Sequence, residues 1–340
     1  MKKHLLFFTL FFTSTISFSQ LSSNALHFDG VDDVVGVPNA YYGGLSDFTI
    51  EAWIRDEAPT TLYTEENIIS NREDDSGVNG FRVSITDGAL AYFGRTGGIS
   101  CGFNLHDNNC HHIAVVRQSY VIRFYIDGVV FNLGFGDSTN TSSSKPNLLI
   151  GAKYDAFPNC FNGLIKEVRI WNIARSTSQI QNNMNVVLNG AANPNLIGYW
   201  RCNAGSGNIL TDYSLNSNHG FFAGPAWSTG CPGETLNLKV FIQGYYVGNS
   251  SLRASLNPVT LPFVFDSVTV ELHQPVSPFS IAAAKKGIIG TNGVGNFSFP
   301  TITLGSSYYI VVKHRNAVQT WSKNPVLFNS SIVNFDFTNP

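Results

Sequence analysis

Acidic side chains are the first groups in this sequence to examine for chemistry. Hydrolysis of a glycosidic bond requires two carboxyl groups about 5 to 10 Å apart that flank the scissile bond. Glu51 stands alone on its predicted strand. The other candidates lie in loop-like segments, where a solvated role is the default: Glu65, Glu66, Glu73, Asp74 and Asp75. We therefore expect no catalytic residues in this chain.

Two adjacent histidines, His111 and His112, are the next candidates for metal binding or catalysis. Successive residues of a strand point to opposite faces, so the two imidazoles cannot easily bind one ion. We interpret both as structural residues. The sequence contains neither a G-x-S-x-G nucleophile motif nor a phosphate-binding loop. The spaced glycines of GTNGVG, from Gly290, join predicted strands and indicate a hairpin turn at Asn292-Gly293.

Aromatic side chains in turn-rich segments are the candidates for ligand binding. Sugar rings bind to exposed aromatic faces that have polar groups beside them. The candidate binding residues are Tyr41, Tyr42, Tyr63, Tyr154 and Phe157. Aromatic residues make up 13% of the chain, so several must be exposed by chance and most of the others belong to the core.

The five cysteines permit several pairings. Cys202 follows the strand-like LIGYW and Cys231 precedes a presumed linker, so a bridge between them would fasten the end of the first domain. Cys101 and Cys110 flank the turn-rich NLHDNN and could close a hairpin, while Cys160 is the alternative partner of Cys110. No CxxC pair indicates a redox or zinc motif. We expect two bridges and one free thiol.

Composition and the N-terminus predict an exported protein. Lys plus Arg (21) nearly balances Asp plus Glu (23), so there is no basic patch for nucleic acid. Residues 1–19 have the pattern of a signal peptide, with cleavage expected before Gln20 and an N-terminal anchor as the alternative. The apolar run from Leu5 to Phe12 is too short to span a membrane, and no other run is long enough. We predict a secreted or cell-surface protein without an integral membrane segment after cleavage.

The elements that must position these residues are almost all strands. Turn-forming clusters separate short apolar runs, which is typical of an all-β sandwich. One helix is predicted from Ser176, where Gln179 completes a capping box, and it should pack across an end of the sandwich. A strict alternation of apolar residues begins at Leu236. We therefore place one domain at 24–231, a linker at 232–235 and a smaller β-sandwich of immunoglobulin or prealbumin type at 236–340.

Six strings occur in a fixed order within the first domain: FDGVDDVVGV, DFTIEAWI, CHHIAVVR, FYIDGVV, FNGLIKEVRIWNIARS and LIGYW. In this order they resemble a laminin-G-like jelly roll of the concanavalin A-like lectin/glucanase superfamily. The second domain resembles modules that follow jelly rolls in secreted proteins of the Bacteroidetes. Many such proteins continue into a sorting domain, and nothing before Pro340 matches one. The resemblance therefore leaves two alternatives: the protein is exported by another route, or this sequence is a fragment of a longer protein.

The resemblance implies two sheets packed face to face, often with a structural calcium ion and a carbohydrate or protein ligand. For calcium the best candidates are Asp29, near the start of the jelly roll, and Asp212, near its end, because the first and last strands of such a fold are commonly neighbours. Both residues could instead bond backbone amides in turns. The family usually has tryptophan before the paired histidines, and Cys110 in that place supports a disulfide there.

Glucanases on this scaffold usually carry their carboxyl groups in an E-x-D-x-E string, which this sequence lacks. We therefore predict a non-enzymatic adhesion protein that binds polysaccharide or a surface glycoprotein. A glycan-degrading hydrolase, or its accessory subunit, is one alternative. A structural fragment of a larger surface protein is the other.

Overall fold

A computed structural model describes residues 21–38, 42–58, 65–72, 79–94, 97–131, 134–143, 145, 147–154, 159–231, 234–255, 263–299, 302, 305–329 and 332–339. The expected signal peptide at 1–19 lies outside this part of the chain, as do the candidate binding residues Tyr41, Tyr63 and Phe157. Nearly all regular structure in the described residues is β-strand, which confirms the all-β prediction. None of the helices in these segments is long and apolar enough to cross a membrane.

The first part of the chain forms seventeen strands within the described residues. In order they are β1 (Asn24–Asp29), β2 (Val34–Pro38), β3 (Phe48–Asp56), β4 (Glu65–Ser70), β5 (Arg82–Thr86), β6 (Ala89–Gly94), β7 (Gly97–Asn104), β8 (Cys110–Gln118), β9 (Val121–Ile126), β10 (Val129–Val130), β11 (Phe135–Gly136), β12 (Asn147–Ile150), β13 (Asn162–Trp171), β14 (Leu196–Trp200), β15 (Ile209–Leu210), β16 (Gly220–Ala223) and β17 (Ala226–Thr229). A helix, α1 (Thr177–Asn183), and a short 3-10 helix (Gly190–Ala192) lie between β13 and β14.

These strands form two sheets that face each other across one core. The first sheet has the order β10-β9-β8-β3-β13-β1-β17, with β11 beside β9 and β14 beside β13. The second sheet has the order β15-β16-β2-β12-β4-β5-β6-β7. Alternate residues of β3, such as Ile50 and Ile54, point into the shared core, while Trp53 points out. The period of two in DFTIEAWI therefore oriented this strand correctly. The jelly-roll prediction is confirmed.

Helix α1 begins as its capping box predicts, because the Ser176 hydroxyl accepts from the Gln179 amide and the Gln179 side chain accepts from Ser176. It does not cover an end of the sandwich. Its Ile180 packs with Ala114, Val116 and Tyr125 on the outer face of the first sheet. The reason is that this face of β8 and β9 carries apolar side chains that need a cover.

The second part of the chain forms ten further strands within the described residues: β18 (Glu234–Lys239), β19 (Tyr246–Gly248), β20 (Ser251–Leu252), β21 (Val264–His273), β22 (Ile281–Gly290), β23 (Val294–Phe299), β24 (Ser306–Lys313), β25 (Thr320–Trp321), β26 (Val326–Phe328) and β27 (Ile332–Asp336). One sheet has the order β23-β18-β27, in which β27 runs parallel to β18. Another has the order β22-β21-β24-β25, with β26 beside β24. Both sheets contribute to one apolar core, so this part of the chain is a smaller sandwich.

The second sandwich differs from the sequence predictions in one turn, and it also contacts the jelly roll. Asn292-Gly293 does not close a hairpin, because β22 and β23 belong to different sheets and the turn carries the chain from one to the other. In addition, Val264 and Ile288 pack against the core of the jelly roll. The two sandwiches therefore share apolar contacts.

Both predicted disulfides are wrong: Cys110 is bonded to Cys231, and their Cα atoms are 5.4 Å apart. Cys101, Cys160 and Cys202 are buried free thiols. Cys202 lies inside the sandwich, whereas Cys231 lies with Trp53 outside the first sheet, so the sheet separates these two sulfurs. Cys101 cannot close a hairpin with Cys110, because β7 and β8 belong to opposite sheets. The disulfide at Cys110 that the resemblance supported is present, with a different partner.

Candidate functional site

The aromatic residues predicted to bind ligand do not form one surface in the described structure. Tyr42 is a core residue, 2% exposed, and its ring meets the edge of Trp200. Its assignment to binding is therefore wrong. Tyr154 is half-buried, and its hydroxyl donates to the Asn147 carbonyl and accepts from the Asn147 amide. The ammonium group of Lys145 lies 5.1 Å from the Tyr154 ring, so this side chain is already held on both sides.

Glu51, the lone strand carboxylate, has no route to a substrate. It is fully buried and pairs with Arg175 at 3.1 Å, His112 at 3.3 Å and Arg169 at 3.8 Å. Burial alone would raise its pKa, but the hydrogen bond from His112 and the charges of the two arginines lower the pKa to about 2. The same arginines donate to carbonyls of α1 and of the segment after it, at Gln179, Asn183 and Val186. Glu51 therefore helps to hold the helix on the sheet.

The adjacent histidines point to opposite faces of β8, as the strand period predicts. His112 lies outside the sheet against Trp53, while His111 contacts Asp127 at 2.8 Å and Asp107 at 3.2 Å. Burial alone would lower the pKa of His111, but the two carboxylates outweigh it and raise the pKa to about 9. The two imidazoles therefore contact different neighbours on opposite faces of the sheet.

The first calcium candidate belongs to a group of three carboxylates. Asp29, Asp32 and Asp33 each place an oxygen atom within 4.8 Å of the others, in the turn after β1. Burial raises the pKa of Asp33, and the negative charges of the other two raise it further. Repulsion of this kind is relieved by a cation, and carboxylate oxygens are the ligands that calcium prefers. Asp29 Oδ1 also accepts from the Val31 amide, and Asp33 Oδ2 accepts from the Asp29 amide, so the turn interpretation applies to Asp29 as well. The three residues fit a calcium site in donor type and charge, and the remaining carboxylate oxygens are the ones that could bind the ion.

Asp212, the second calcium candidate, does not fit. Its carboxylate accepts from the amides of Tyr199, Ser214 and Asn218 and from the Ser214 hydroxyl. It therefore fastens a turn, which was the alternative interpretation of this residue.

The two aspartates also lie far apart along β13. Asp29 is level with Asn162, while Tyr199, to which Asp212 bonds, is level with Arg169. Seven residues of strand separate these positions by about 20 Å, so Asp29 and Asp212 cannot share one ion.

A cleft of about 560 Å³ opens at the edge of the jelly roll nearest the disulfide. One wall is the end of β3 and the next two residues, and the other is the turn between β7 and β8. We call it the loop-edge cleft, and its lining residues are Arg55, Asp56, Glu57, Ala58, His106, Asp107 and Asn108. Arg55 is level with Cys110 across β3 and β8. The bond from Cys110 to Cys231 therefore anchors the base of both walls.

Carboxyl groups of opposite character face this cleft. Burial raises the pKa of Asp56, although His106 Nδ1 lies 2.5 Å from its Oδ2 and opposes the shift. Burial alone would also raise the pKa of Asp107, but its hydrogen bond to His111 outweighs burial and holds the pKa of Asp107 well below its usual range. Glu57 pairs with Arg55 and with His27. The cleft thus combines anionic acceptors with guanidinium and imidazole donors.

His106, Asp107 and Asn108 were not predicted from the sequence as site residues, because NLHDNN was interpreted only as a turn between two cysteines. Asn108 adopts φ 55°, and the side chains of Asn104 and Asp107 each accept from the amide two residues on. A run of Asx-type residues with a histidine between two predicted strands was the available signal.

Comparisons with known proteins support the fold described above. Residues 29–181 match the family model described as the concanavalin A-like lectin/glucanases superfamily. No curated protein matches the sequence. The architecture defines a jelly-roll protein with an additional β domain.

Among solved structures, the chain is similar to a candidate carbohydrate-binding protein from Bacteroides ovatus, with a TM-score of 0.51 and 19% identity over 63% of this chain. The match spans 61% of that protein's own length. A heptameric SAP-like pentraxin from Limulus polyphemus matches over 61% of this chain and 95% of its own, with 15% identity and a TM-score of 0.41. At 19% identity, the similarity to the Bacteroides ovatus protein establishes the fold alone.

Proposed function

We propose that this chain is an exported, non-enzymatic binding protein whose loop-edge cleft recognises carbohydrate, as part of a polysaccharide or a surface glycoprotein. The observation that carries the proposal is the lining of the cleft, where six of seven residues carry hydrogen-bonding side chains. Sugar hydroxyls both donate and accept, so mixed carboxylate, amide and guanidinium groups suit them. The disulfide supports export, because such bonds persist in oxidising compartments.

The charge of the cleft narrows the ligand class. Asp56, Glu57 and Asp107 face one guanidinium and one imidazole, so the lining carries more acidic than basic groups. An anionic sugar would be repelled and would lose its hydration without compensation. Neutral saccharides are therefore the proposed ligands, and sialylated or uronic glycans should bind more weakly.

Asn108→Gly is expected to weaken binding of a neutral glycan about tenfold with little loss of stability. Glycine removes the amide but tolerates the positive φ of this position, so the loop can keep its path. The matched control is Asn249→Gly, which replaces another exposed asparagine with φ 50° in the second sandwich. Isothermal titration with a neutral polysaccharide panel, compared with sialylated glycans, measures both affinities. Equal affinity of the two variants, or no binding by the wild-type protein at millimolar glycan, would refute the proposal.

We also propose that Asp29, Asp32 and Asp33 hold a structural calcium ion. The ion would neutralise the negative charge of the turn after β1. At a calcium concentration 100 times its Kd, the free energy of unfolding of the wild-type protein should rise by about 2.7 kcal/mol. Asp32→Asn should abolish most of this gain, whereas the exposed Asp87→Asn on the turn between β5 and β6 should not. Thermal unfolding with calcium and with chelator measures the effect. An unfolding temperature that changes with neither calcium nor chelator would contradict the calcium site.

A hydrolase remains the second candidate because Asp56 and Asp107 face one cleft with pKa values shifted in opposite directions. Glycoside hydrolysis requires a proton donor and an ionised partner, and the Asp56 side chain, which is fully buried beside His106, would have to become accessible to serve as the donor. Release of reducing sugar by the purified protein, lost in both Asp56→Asn and Asp107→Asn, would favour this candidate. A wild-type protein that binds glycan without releasing sugar would leave binding as the function.

A further inference from the structure

A second cleft, of about 340 Å³, lies between the two sandwiches. The jelly roll contributes the end of helix α1, and the second sandwich contributes one face of the sheet β23-β18-β27. We call it the interdomain cleft, and its polar lining residues are Gln181, Asn182, Asn237, Lys239, Asn296, Asn334 and Asp336. Side-chain amides therefore dominate this lining, unlike the carboxylates of the loop-edge cleft.

Three of the amides form a row across adjacent strands. Asn237 on β18 is level with Asn296 on β23 and with Asn334 on β27. The neighbouring Leu236 and Leu238 belong to the core of the second sandwich, so the alternation of β18 turns Asn237 away from that core. A polar row in register on an outer face, opposite a helix that also carries amides, presents several hydrogen-bonding groups in one direction.

One atom of the row is unsatisfied. Asn237 Nδ2 donates to Asn334 Oδ1 at 2.9 Å, while Asn237 Oδ1 is buried and has no hydrogen-bond partner among the described residues. A buried acceptor without a partner costs free energy that a donor would recover. A hydroxyl group bound in the cleft would supply that donor.

The walls of the interdomain cleft are held in place before any ligand binds. Gln181 Nε2 donates to the Gly128 carbonyl at 3.0 Å, and Asn296 Nδ2 donates to the Asp127 carbonyl at 2.7 Å. The turn between β9 and β10 thus fixes one amide from each sandwich. Binding to fixed groups avoids the entropy of ordering them, so the interdomain cleft is preorganised.

We propose that the interdomain cleft is a second binding site for neutral saccharides, distinct from the loop-edge cleft. The choice of saccharide as the ligand rests on the proposed function. Amide groups each offer a donor and an acceptor, which matches the hydroxyl groups of a sugar ring. The half-buried Val294, which lies on the same face of β23 as Asn296, supplies an apolar side chain beside them. Lys239 Nζ lies 3.5 Å from Asp336 Oδ2, so the charges of the lining offset each other and favour an uncharged ligand.

The test uses the full chain, Asn108→Gly and three further variants, with cellohexaose, xylohexaose and mannohexaose as separate probes. Asn334→Ala removes both the acceptor of Asn237 and a group of the lining. Asn334→Asp keeps the oxygen that accepts from Asn237 but replaces the amide donor by a negative charge. Weaker binding by this variant would therefore come from the lost donor and the added charge, and not from a broken Asn237–Asn334 hydrogen bond. Asn208→Asp, at an exposed asparagine of the jelly roll, is the control. Side-chain amide signals in nitrogen-15 NMR spectra report the site directly, and titration gives the affinity.

We expect at least one hexaose to shift the side-chain amide signals of Asn237 and Asn334, and both Asn334 variants to lower its affinity about tenfold while the control does not. Asn108→Gly should leave these shifts unchanged, because it changes only the loop-edge cleft. Unperturbed amide signals with every hexaose would overturn the inference. If glycan binding persists but depends on Asn108 alone, the interdomain site fails and the proposed function stands. If binding depends on Asn334 alone, the saccharide function stands at this site and the loop-edge proposal fails.

Discussion

Simultaneous replacement of Cys110 and Cys231 by alanine is expected to lower the free energy of unfolding by about 4 to 5 kcal/mol. The bond closes a loop with a sequence separation of 121 residues, and the chain-entropy model assigns a stabilisation of this size to so long a loop. It joins the start of β8 to the chain just beyond β17, the strand at the edge of the first sheet. Denaturation in urea at neutral pH measures the change.

The control is Cys160→Ala, which removes a buried thiol that forms no bridge and should cost about 1 kcal/mol. Reductant should lower the free energy of unfolding of the wild-type protein to that of the double variant, and it should not change the free energy of unfolding of the double variant. Alkylation of the unfolded, unreduced protein should label three cysteines. A single labelled thiol would contradict the pairing and support the two bridges predicted from the sequence.

Glu51→Gln is expected to lower the free energy of unfolding by about 3 to 5 kcal/mol. The change leaves the buried Arg169, Arg175 and His112 without the carboxylate that compensates them, and breaking one side of a buried charge network has a cost of this size. The comparison variant is Asp336→Asn, which breaks a partly exposed pair with Lys239 and should cost less than about 1 kcal/mol. Similar losses from both changes would contradict the account of Glu51.

The pH dependence gives a second readout of Glu51. Its pKa falls from the ordinary value of 4.5 to about 2 in the folded protein. As the pH falls, Glu51 therefore binds a proton in the unfolded chain before it does so in the folded protein. This stabilisation is fully present above pH 4.5 and is lost as the pH falls towards 2. Wild-type protein should lose stability over this interval more steeply than Glu51→Gln.

Much of the fold was predictable because local patterns carry it. The period of two in β3 oriented its side chains correctly, and Ser176 with Gln179 placed the start of α1. The dipeptide Asp127-Gly128 is a signal for a two-residue hairpin turn, and both residues have positive φ in the turn between β9 and β10. Each of these features depends on residues a few positions apart, so sequence alone contains the needed physics.

The site was much less predictable, and its particular residues show why. Tyr42 lies in a Gly-rich stretch of sequence that is typical of a loop, but its side chain fills the core beside Trp200. Glu51 appeared to be an isolated carboxylate, and its arginine partners lie more than 100 positions away along the chain. Burial of this kind depends on which segments cover a strand, and strand periodicity does not contain that information.

The sequence by itself determined that this is an all-β chain with one short helix, because alternation, turn residues and caps are local properties, while the jelly roll was predicted from the resemblance of six ordered strings to a known family. Tertiary structure alone decided that Cys110 pairs with Cys231, that Asp29 and Asp212 are separated along β13, and that Asn237, Asn296 and Asn334 form one row. The physical reason is the same in each case. Sheet order and register set which distant side chains become neighbours, and both are properties of the whole folded chain.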